Sequence, residues 1–177
     1  MKLVFPSIAY KEKAIEFINE FNEYNSDING SGALDGYLEN STYEEWIKKV
    51  LADIDIANIP QPRVPALTYF YVREEDDKII GMINIRLALN DFLKKEGGHI
   101  GYCIRPTERG NNYATDMLKA ALKVYDVFGV REVLLSCDKS NEASSKVIKK
   151  CGGVLQDEFY SDIFKSEIQM YLISKEK

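Results

Sequence analysis

A run of consecutive strands followed by a strand–helix–strand–helix unit limits this chain to few folds. Thr68–Arg73 (TYFYVR) is aromatic and β-branched, which suits a strand. The acidic stretch EEDDK turns the chain, and Ile79–Leu87 (IIGMINIRL) returns, predicting an antiparallel hairpin. A third strand is expected at His99–Arg105, after Gly97-Gly98. The period then changes. Ala114, Met117, Leu118, Ala121, Leu122, Tyr125 and Phe128 recur every three or four positions across Tyr113–Phe128, one face of a helix that Gly129 can stop. Glu132–Cys137 reads as a buried strand. Asn141–Lys150 reads as a helix with Ala143, Ser144, Val147 and Ile148 inward, and Val154–Phe159 and Ile168–Ile173 as two closing strands. This order predicts an α/β (α+β) fold with one mixed sheet in a single domain, residues 1–177.

The segment before the hairpin is helical. Leu3–Phe5 is a short strand stopped by Pro6. Ala14, Ile15, Phe17, Ile18 and Phe21 form an apolar stripe on a helix spanning Lys11–Tyr24. Residues 25–40, rich in Gly, Asn, Asp and Ser, read as a loop. Ser41 and Thr42 each precede a glutamate by three residues, Glu44 and Glu45, which predicts a capped second helix. Its inward stripe is Trp46, Ile47, Val50, Leu51 and Ile54. Pro60, Pro62 and Pro65 bar a helix from residues 55–67, leaving a connector or a lid at Ile56–Leu67.

Composition narrows the function. With 177 residues, 45% apolar and 11% aromatic, the chain can bury a core without disulfides or metal. No apolar run is long enough to span a membrane. Cys103, Cys137 and Cys151 are odd in number and widely spaced, which fits reduced thiols in a cytoplasmic protein, and the N-terminus shows no secretory pattern. The net charge of −5 argues against nucleic acid as a partner. The charge is unevenly divided: residues 1–97 carry 17 acids and 11 bases, residues 98–177 carry 11 acids and 12 bases.

One stretch carries chemistry. Pro106 ends a strand, and Arg109, Gly110, Asn111, Asn112 and Tyr113 lead into a helix beginning near Ala114. The first amides of that helix lack intrahelical partners and point outward, where the helix dipole also favours an anion. Glycine and asparagine tolerate left-handed backbone, so successive N–H groups can converge on a phosphate. Arg109 adds a permanent cation. The chain has neither GxxxxGK[ST] nor a GxGxxG after a first strand.

These residues resemble the GNAT superfamily of acyl-CoA-dependent N-acetyltransferases. The family's phosphate loop, Arg/Gln-x-x-Gly-x-Gly/Ala, is matched by Arg109, Asn112 and Ala114, with asparagine in place of the middle glycine. Its Asn-x-x-Ala/Ser signature is matched by Asn141 and Ser144, and a closing Lys-x-Gly by Lys150-Cys151-Gly152. Gly101–Pro106 resembles the strand that enters the loop. The match is strong over residues 98–153.

The resemblance implies a mostly antiparallel twisted sheet with helices on both faces and a splayed fourth and fifth strand, here 99–105 and 132–137. It implies acetyl-CoA as cosubstrate, without a metal. The pantetheine arm would pair with the backbone of Cys103, Ile104 and Arg105. The pyrophosphate would lie on the amides from Arg109 to Thr115, through Gly110, Asn111, Asn112, Tyr113 and Ala114. Asn141 would reach the pantetheine amides or cap its helix, with Ser144 beside it.

The reaction so implied is direct attack of a primary amine, small-molecule or peptidic, on the thioester. His99, the single histidine, is the candidate base, since imidazole titrates near neutrality; Glu96 is a second. A tyrosine common in the family as acid is replaced by Ile148, so Tyr102 or Ser145 would protonate the thiolate, or it leaves unassisted. Residues 1–97 would face the acceptor and 98–177 the acetyl-CoA. The acidic first part favours a cationic amine, with Tyr24, Tyr37, Tyr43, Tyr69, Tyr71, Asp27, Asp35 and Glu39 as candidate contacts. A homodimer is the commonest assembly for such a chain. The missing tyrosine also motivates a second reading, a non-catalytic acyl-CoA sensor of the same fold.

Overall fold

The computed structural model describes residues 1–55, 57 and 59–175. Alternation in the hairpin sets its centre. Strands β2 (Ala66–Arg73) and β3 (Lys78–Arg86) pair antiparallel with one bulge at Tyr71/Val72, β1 (Lys2–Val4) adds to β2, and β4 (Ile100–Ile104) adds to β3. The inner strands are buried on both faces, because helices cover both. Helices α1 (Lys11–Glu23), α2 (Leu34–Asn40) and α3 (Tyr43–Ala52) supply one core, centred on Phe17, Phe21, Trp46 and Phe70. Fully burying an aromatic or aliphatic side chain of this size contributes about 1.5–3 kcal/mol.

The other face carries α4 (Tyr113–Val127) and α5 (Glu142–Lys150). Their core joins Ile80, Ile83 and Met117 to Val133, Leu135, Tyr171 and Ile173. The last four belong to a second sheet of β5 (Glu132–Asp138), β6 (Val154–Ser161) and β7 (Ser166–Ser174), in the order β5-β7-β6. The single mixed sheet expected from the sequence is therefore two antiparallel sheets that share one core.

Local expectations fail where tertiary packing decides. Residues 34–40 form α2 within the expected loop. Thr42, not Ser41, caps α3 by accepting from the Glu45 amide at 3.2 Å. Leu51, Ile54 and Phe128 are exposed at their helix ends, beyond the apolar faces. On α5, Ser145 and Ile148 are buried, whereas Ala143 is exposed. Residues 93–97 close a π-helical turn that the sequence does not announce. Of the segment Ile56–Leu67, Ile56 and Asn58 lie outside the described residues, and its far end is tied down by the Ala66 amide on Asp53 O and the Leu87 amide on Pro65 O.

Candidate functional site

The two sheets touch at one point and then part. The His99 amide donates to Leu134 O at 2.7 Å, and the Leu134 amide donates to His99 Nδ1 at 2.9 Å. The histidine ring thus stands in for a backbone carbonyl in a sheet ladder. Beyond that joint β4 and β5 diverge, since no further strand pairing links them among the described residues. Hydrogen bonds at both ends of the β3–β4 ladder, Arg86 amide to His99 O and Arg105 amide to Ile80 O, fix which residues turn toward β3. Antiparallel alternation then directs the backbone groups of Gly101 and Cys103 to β3 and those of Tyr102 and Ile104 into the gap. Of the three residues expected to offer their backbone, Ile104 faces the gap, whereas Cys103 and Arg105 do not, and Tyr102 joins it.

The gap opens into a cleft of about 620 Å³. One wall is the start of α4. Gly110 (φ 83°) and Asn112 (φ 63°) both adopt left-handed backbone, so the turn into the helix is tight. The amides of Gly110, Asn111, Asn112, Tyr113 and Ala114 have no partner among the described residues, while Thr115 N donates to Asn112 O. These are the donors a phosphate group would take. The opposite wall is α5, where Asn141 Oδ1 caps the helix by accepting from the Ser144 amide at 3.0 Å. Ser144 Oγ shares a hydrogen bond of 2.9 Å with Tyr102 OH. Burial pushes the Tyr102 phenol up to about 12 despite that bond, so it stays protonated at neutral pH.

Arg109 lines the cleft with a constrained guanidinium. Its Nε donates to Ile104 O at 3.1 Å, Nη2 donates to Ser26 Oγ at 2.8 Å, and the group lies over the Phe21 ring. Lys146 and Lys150 also line the cleft, one helical turn apart on α5. Their spacing was a readable signal, because residues four apart share a helix face.

A second hollow, of about 510 Å³, is lined by the loop at residues 28–33, by Asn84 and Arg86 of β3, and by residues from α3 and the segments around 62 and 90. Asn29 lines both. Between them the chain passes so close to β4 that a Cβ on Gly30 (φ +75°) would sit 2.1 Å from Gly101 O, so only glycine fits. The hollow is lined by charged groups: Lys49, Arg63 and Arg86 against Asp35 and Asp53. Asp53 is buried and paired with Lys49 and Arg63, and Asp35 accepts from Ser31 Oγ at 2.7 Å.

The remaining expected site residues lie elsewhere. His99 is 8% exposed and lines neither cavity; burial is the main cause that lowers its pKa, with Arg86 acting in the same direction. Glu96 is buried and accepts from Ser161 Oγ. Arg105 is 2% exposed and turned to α1, where Nη1 meets Glu16 at 2.9 Å and Glu20 at 2.8 Å and Nε donates to Ile79 O. Burial alone would raise the Glu20 carboxyl, but bonds from Thr107 and Arg105 hold it below the usual range. The Asn111 side chain donates back to Glu108 O. Ser145 shares a buried bond with Tyr171 OH, away from the cleft. Cys103 is buried, and desolvation pushes its thiol up to about 12. None of the five candidate acceptor tyrosines lines either cavity: Tyr43 and Tyr71 are buried, Tyr69 packs on Phe5, Tyr37 packs against the helical core, and Tyr24 is exposed. Asp27 lines the cleft and Asp35 the second hollow; Glu39 is exposed and lines neither.

Among the described residues no helix is long and apolar enough to cross a membrane, and no group of three or more His, Cys, Asp and Glu is placed to hold a metal ion. The acetyltransferase (GNAT) domain family matches residues 20–154. Among solved structures, the chain is similar to the microcin C7 self-immunity acetyltransferase MccE in complex with acetyl-CoA and AMP, with 18% identity, TM-score 0.69, 97% of this chain and 91% of that one. It is similar to RimL, the ribosomal L7/L12 α-N-protein acetyltransferase in complex with coenzyme A, with 17% identity, TM-score 0.69 and coverage of 98% and 93%. A mutant form of the spermidine N-acetyltransferase SpeG from Vibrio cholerae matches with 12% identity, TM-score 0.63 and coverage of 98% and 95%. A search of curated proteins finds no match.

Proposed function

The chain belongs to the GNAT acetyltransferase family, and from that premise we propose that it is an acetyl-CoA-dependent N-acetyltransferase acting on a primary amine. The observation that carries this reading is the pairing of an anion-ready cleft with a neighbouring charged hollow, Asn29 being common to both. The unpaired amides from Gly110 to Ala114, the edge groups of Tyr102 and Ile104, and the cations Arg109, Lys146 and Lys150 fit a diphosphate-bearing, amide-containing cosubstrate. Related structures hold acetyl-CoA or coenzyme A.

Bound acetyl-CoA supplies the electrophilic thioester carbonyl and a thiol leaving group. The chain's own residues do the rest. The α4 amides hold the phosphates, and a gap-facing amide of β4 stabilises the negative charge that grows on the carbonyl oxygen. Tyr102, protonated and oriented by Ser144, donates a proton to the departing sulfur. His99 and Glu96 do not reach the cleft, so we assign removal of the ammonium proton to Asp35, the carboxylate of the second hollow that no cation pairs among the described residues. The division of labour between residues 1–97 and 98–177 is supported by the two linings: the hollow draws on residues 28–93, the cleft mainly on residues 102–150.

Related structures include a ribosomal-protein α-N-acetyltransferase and a spermidine N-acetyltransferase, so both peptides and polyamines belong in the test. Purified protein with acetyl-CoA and a panel of amines should release free thiol and yield the acetylated amine by mass spectrometry. Calorimetry showing no acetyl-CoA binding at high micromolar cosubstrate would end the reading. The second reading, an acyl-CoA sensor, is favoured by the distance of His99 and Glu96 from the cleft. Binding without turnover on any acceptor selects it.

A further inference from the structure

The lining of the second hollow is more specific than the charge of its half of the chain. Three cations, Lys49, Arg63 and Arg86, face two anions, Asp35 and Asp53, and Asp53 is already shared by Lys49 and Arg63. Lys49 also donates to Gly32 O at 3.1 Å. Arg86 is left without a carboxylate partner among the described residues. Its Nη1 is fixed by Gly97 O and Gly98 O, both at 2.9 Å, while Nη2 lies 3.5 Å from the position a Cβ on Gly101 would take. The guanidinium is therefore held rigid and half-buried, in the second hollow and beside Gly101 of β4. Burial lowers its pKa, as expected for a cation short of compensating charge. The two backbone carbonyls take the two Nη1 protons, which leaves the Nε and Nη2 donors, whose natural partner is an anion.

We propose that the acceptor is a small amine that also carries a carboxylate or phosphate, and that Arg86 binds that anion while the amine lies against β4. This deepens the acetyl-transfer reading and rests on it. The excess of acid over residues 1–97 favours a cationic acceptor, but the acids that produce it lie mostly outside the hollow, whose own lining carries one more cation than anions. An amine bearing an anion satisfies both, with its ammonium on Asp35 and its anion on Arg86.

The test uses matched pairs with the full chain and acetyl-CoA: O-phosphoethanolamine against ethanolamine, glycine against glycinamide, and spermidine as a polycation. The phosphate and carboxylate pairs separate the two anion sources. The anionic member of at least one pair should have kcat/KM about tenfold or more above its neutral partner, mainly through KM. Arg86→Gln should bring that ratio to within about twofold, and Arg86→Lys should restore part of it. A purely structural role at the Gly97-Gly98 carbonyls would lower both members of a pair alike and leave the ratio unchanged, which overturns the proposal. A preference for spermidine over every anionic amine also overturns it. If no amine is acetylated, the transfer reading fails, and the site is read at equilibrium with coenzyme A present. Thermal protection by O-phosphoethanolamine but not ethanolamine, lost in Arg86→Gln, then supports the anion site. Equal shifts for the two compounds, or for inorganic phosphate in parent and variant, refute it.

Discussion

The cleft along β4 offers largely backbone groups, and the neighbouring hollow offers side chains. The cleft offers the amides of Gly110–Ala114 and the edge of β4, shaped by left-handed turns. The hollow offers Lys49, Arg63, Arg86, Asp35 and Asp53, placed by separate segments of the chain. A surface of backbone donors tolerates sequence change provided the local φ/ψ is kept. A surface of side chains can be retuned to a new ligand by single substitutions. That difference fits a molecule that keeps one cosubstrate and varies its acceptor.

The largest expected effect tests what holds the two regions in register. Arg105 ties the end of β4 to Glu16 and Glu20 on α1, the helix that leads into the shared Asn29 loop. Arg105→Ala takes the cation from Glu20, which keeps its Thr107 bonds, and a donor from Ile79 O, and should cost about 3 kcal/mol, at the lower end for breaking a buried ion pair because Glu16 is largely exposed. Chemical denaturation measures it; a loss below about 1 kcal/mol would mean the register is set elsewhere.

Tyr102→Phe comes next, because it removes a proton donor and leaves the backbone intact. We expect kcat to fall on the order of 10²-fold, the lower end for a positioned proton transfer, with acetyl-CoA affinity nearly unchanged. An unchanged kcat would show that the thiolate leaves unassisted.

Asn112 measures how far the cleft depends on backbone alone. Asn112→Gly should leave acetyl-CoA affinity within about twofold, since glycine keeps the left-handed turn. Asn112→Val should weaken it roughly tenfold, because a β-branched residue there carries about 1–2 kcal/mol of strain. Equal affinities in the two variants would contradict the account of a turn-shaped site.

The smallest effect concerns the joint between the sheets. His99 accepts the Leu134 amide as a neutral ring, and its folded pKa lies below the unfolded value near 6.5. Below that value the unfolded chain binds a proton that the folded chain refuses, so stability falls as pH drops below about 6.5 toward the folded pKa and is complete above it. His99→Gln should lower stability at pH 7.5 and flatten the dependence below about pH 6.5. A slope identical to the parent's would place the titration on other groups.

Fold and site were unequally legible in the sequence. The strands, α1, α3, α4 and α5 announce themselves by period, cap and stop, and all but the short β1 and the largely exposed β6 have residues buried in the core. Helix α2 hides in a polar segment whose ordering depends on Leu34 packing into a core built by other elements. The α4 amides were legible because left-handed turns select Gly and Asn at Gly110 and Asn112. The β4 edge takes in Ile104 as expected from the sequence, but Tyr102 rather than Cys103 and Arg105, since strand parity depends on a pairing partner. His99 looked like a base because its chemistry suits one, but its surroundings make it a joint. Arg86 gave no signal, as its isolation from carboxylates is a property of three dimensions.

Hydrogen–deuterium exchange on the full chain with and without acetyl-CoA tests the central claim most directly. The account predicts slowed exchange at the amides of Tyr102 and Ile104 and from Gly110 to Ala114, with Arg86 and the second hollow unaffected until an acceptor is added. Acetyl-CoA bound by calorimetry but with protection outside those amides, or with none there, would contradict it.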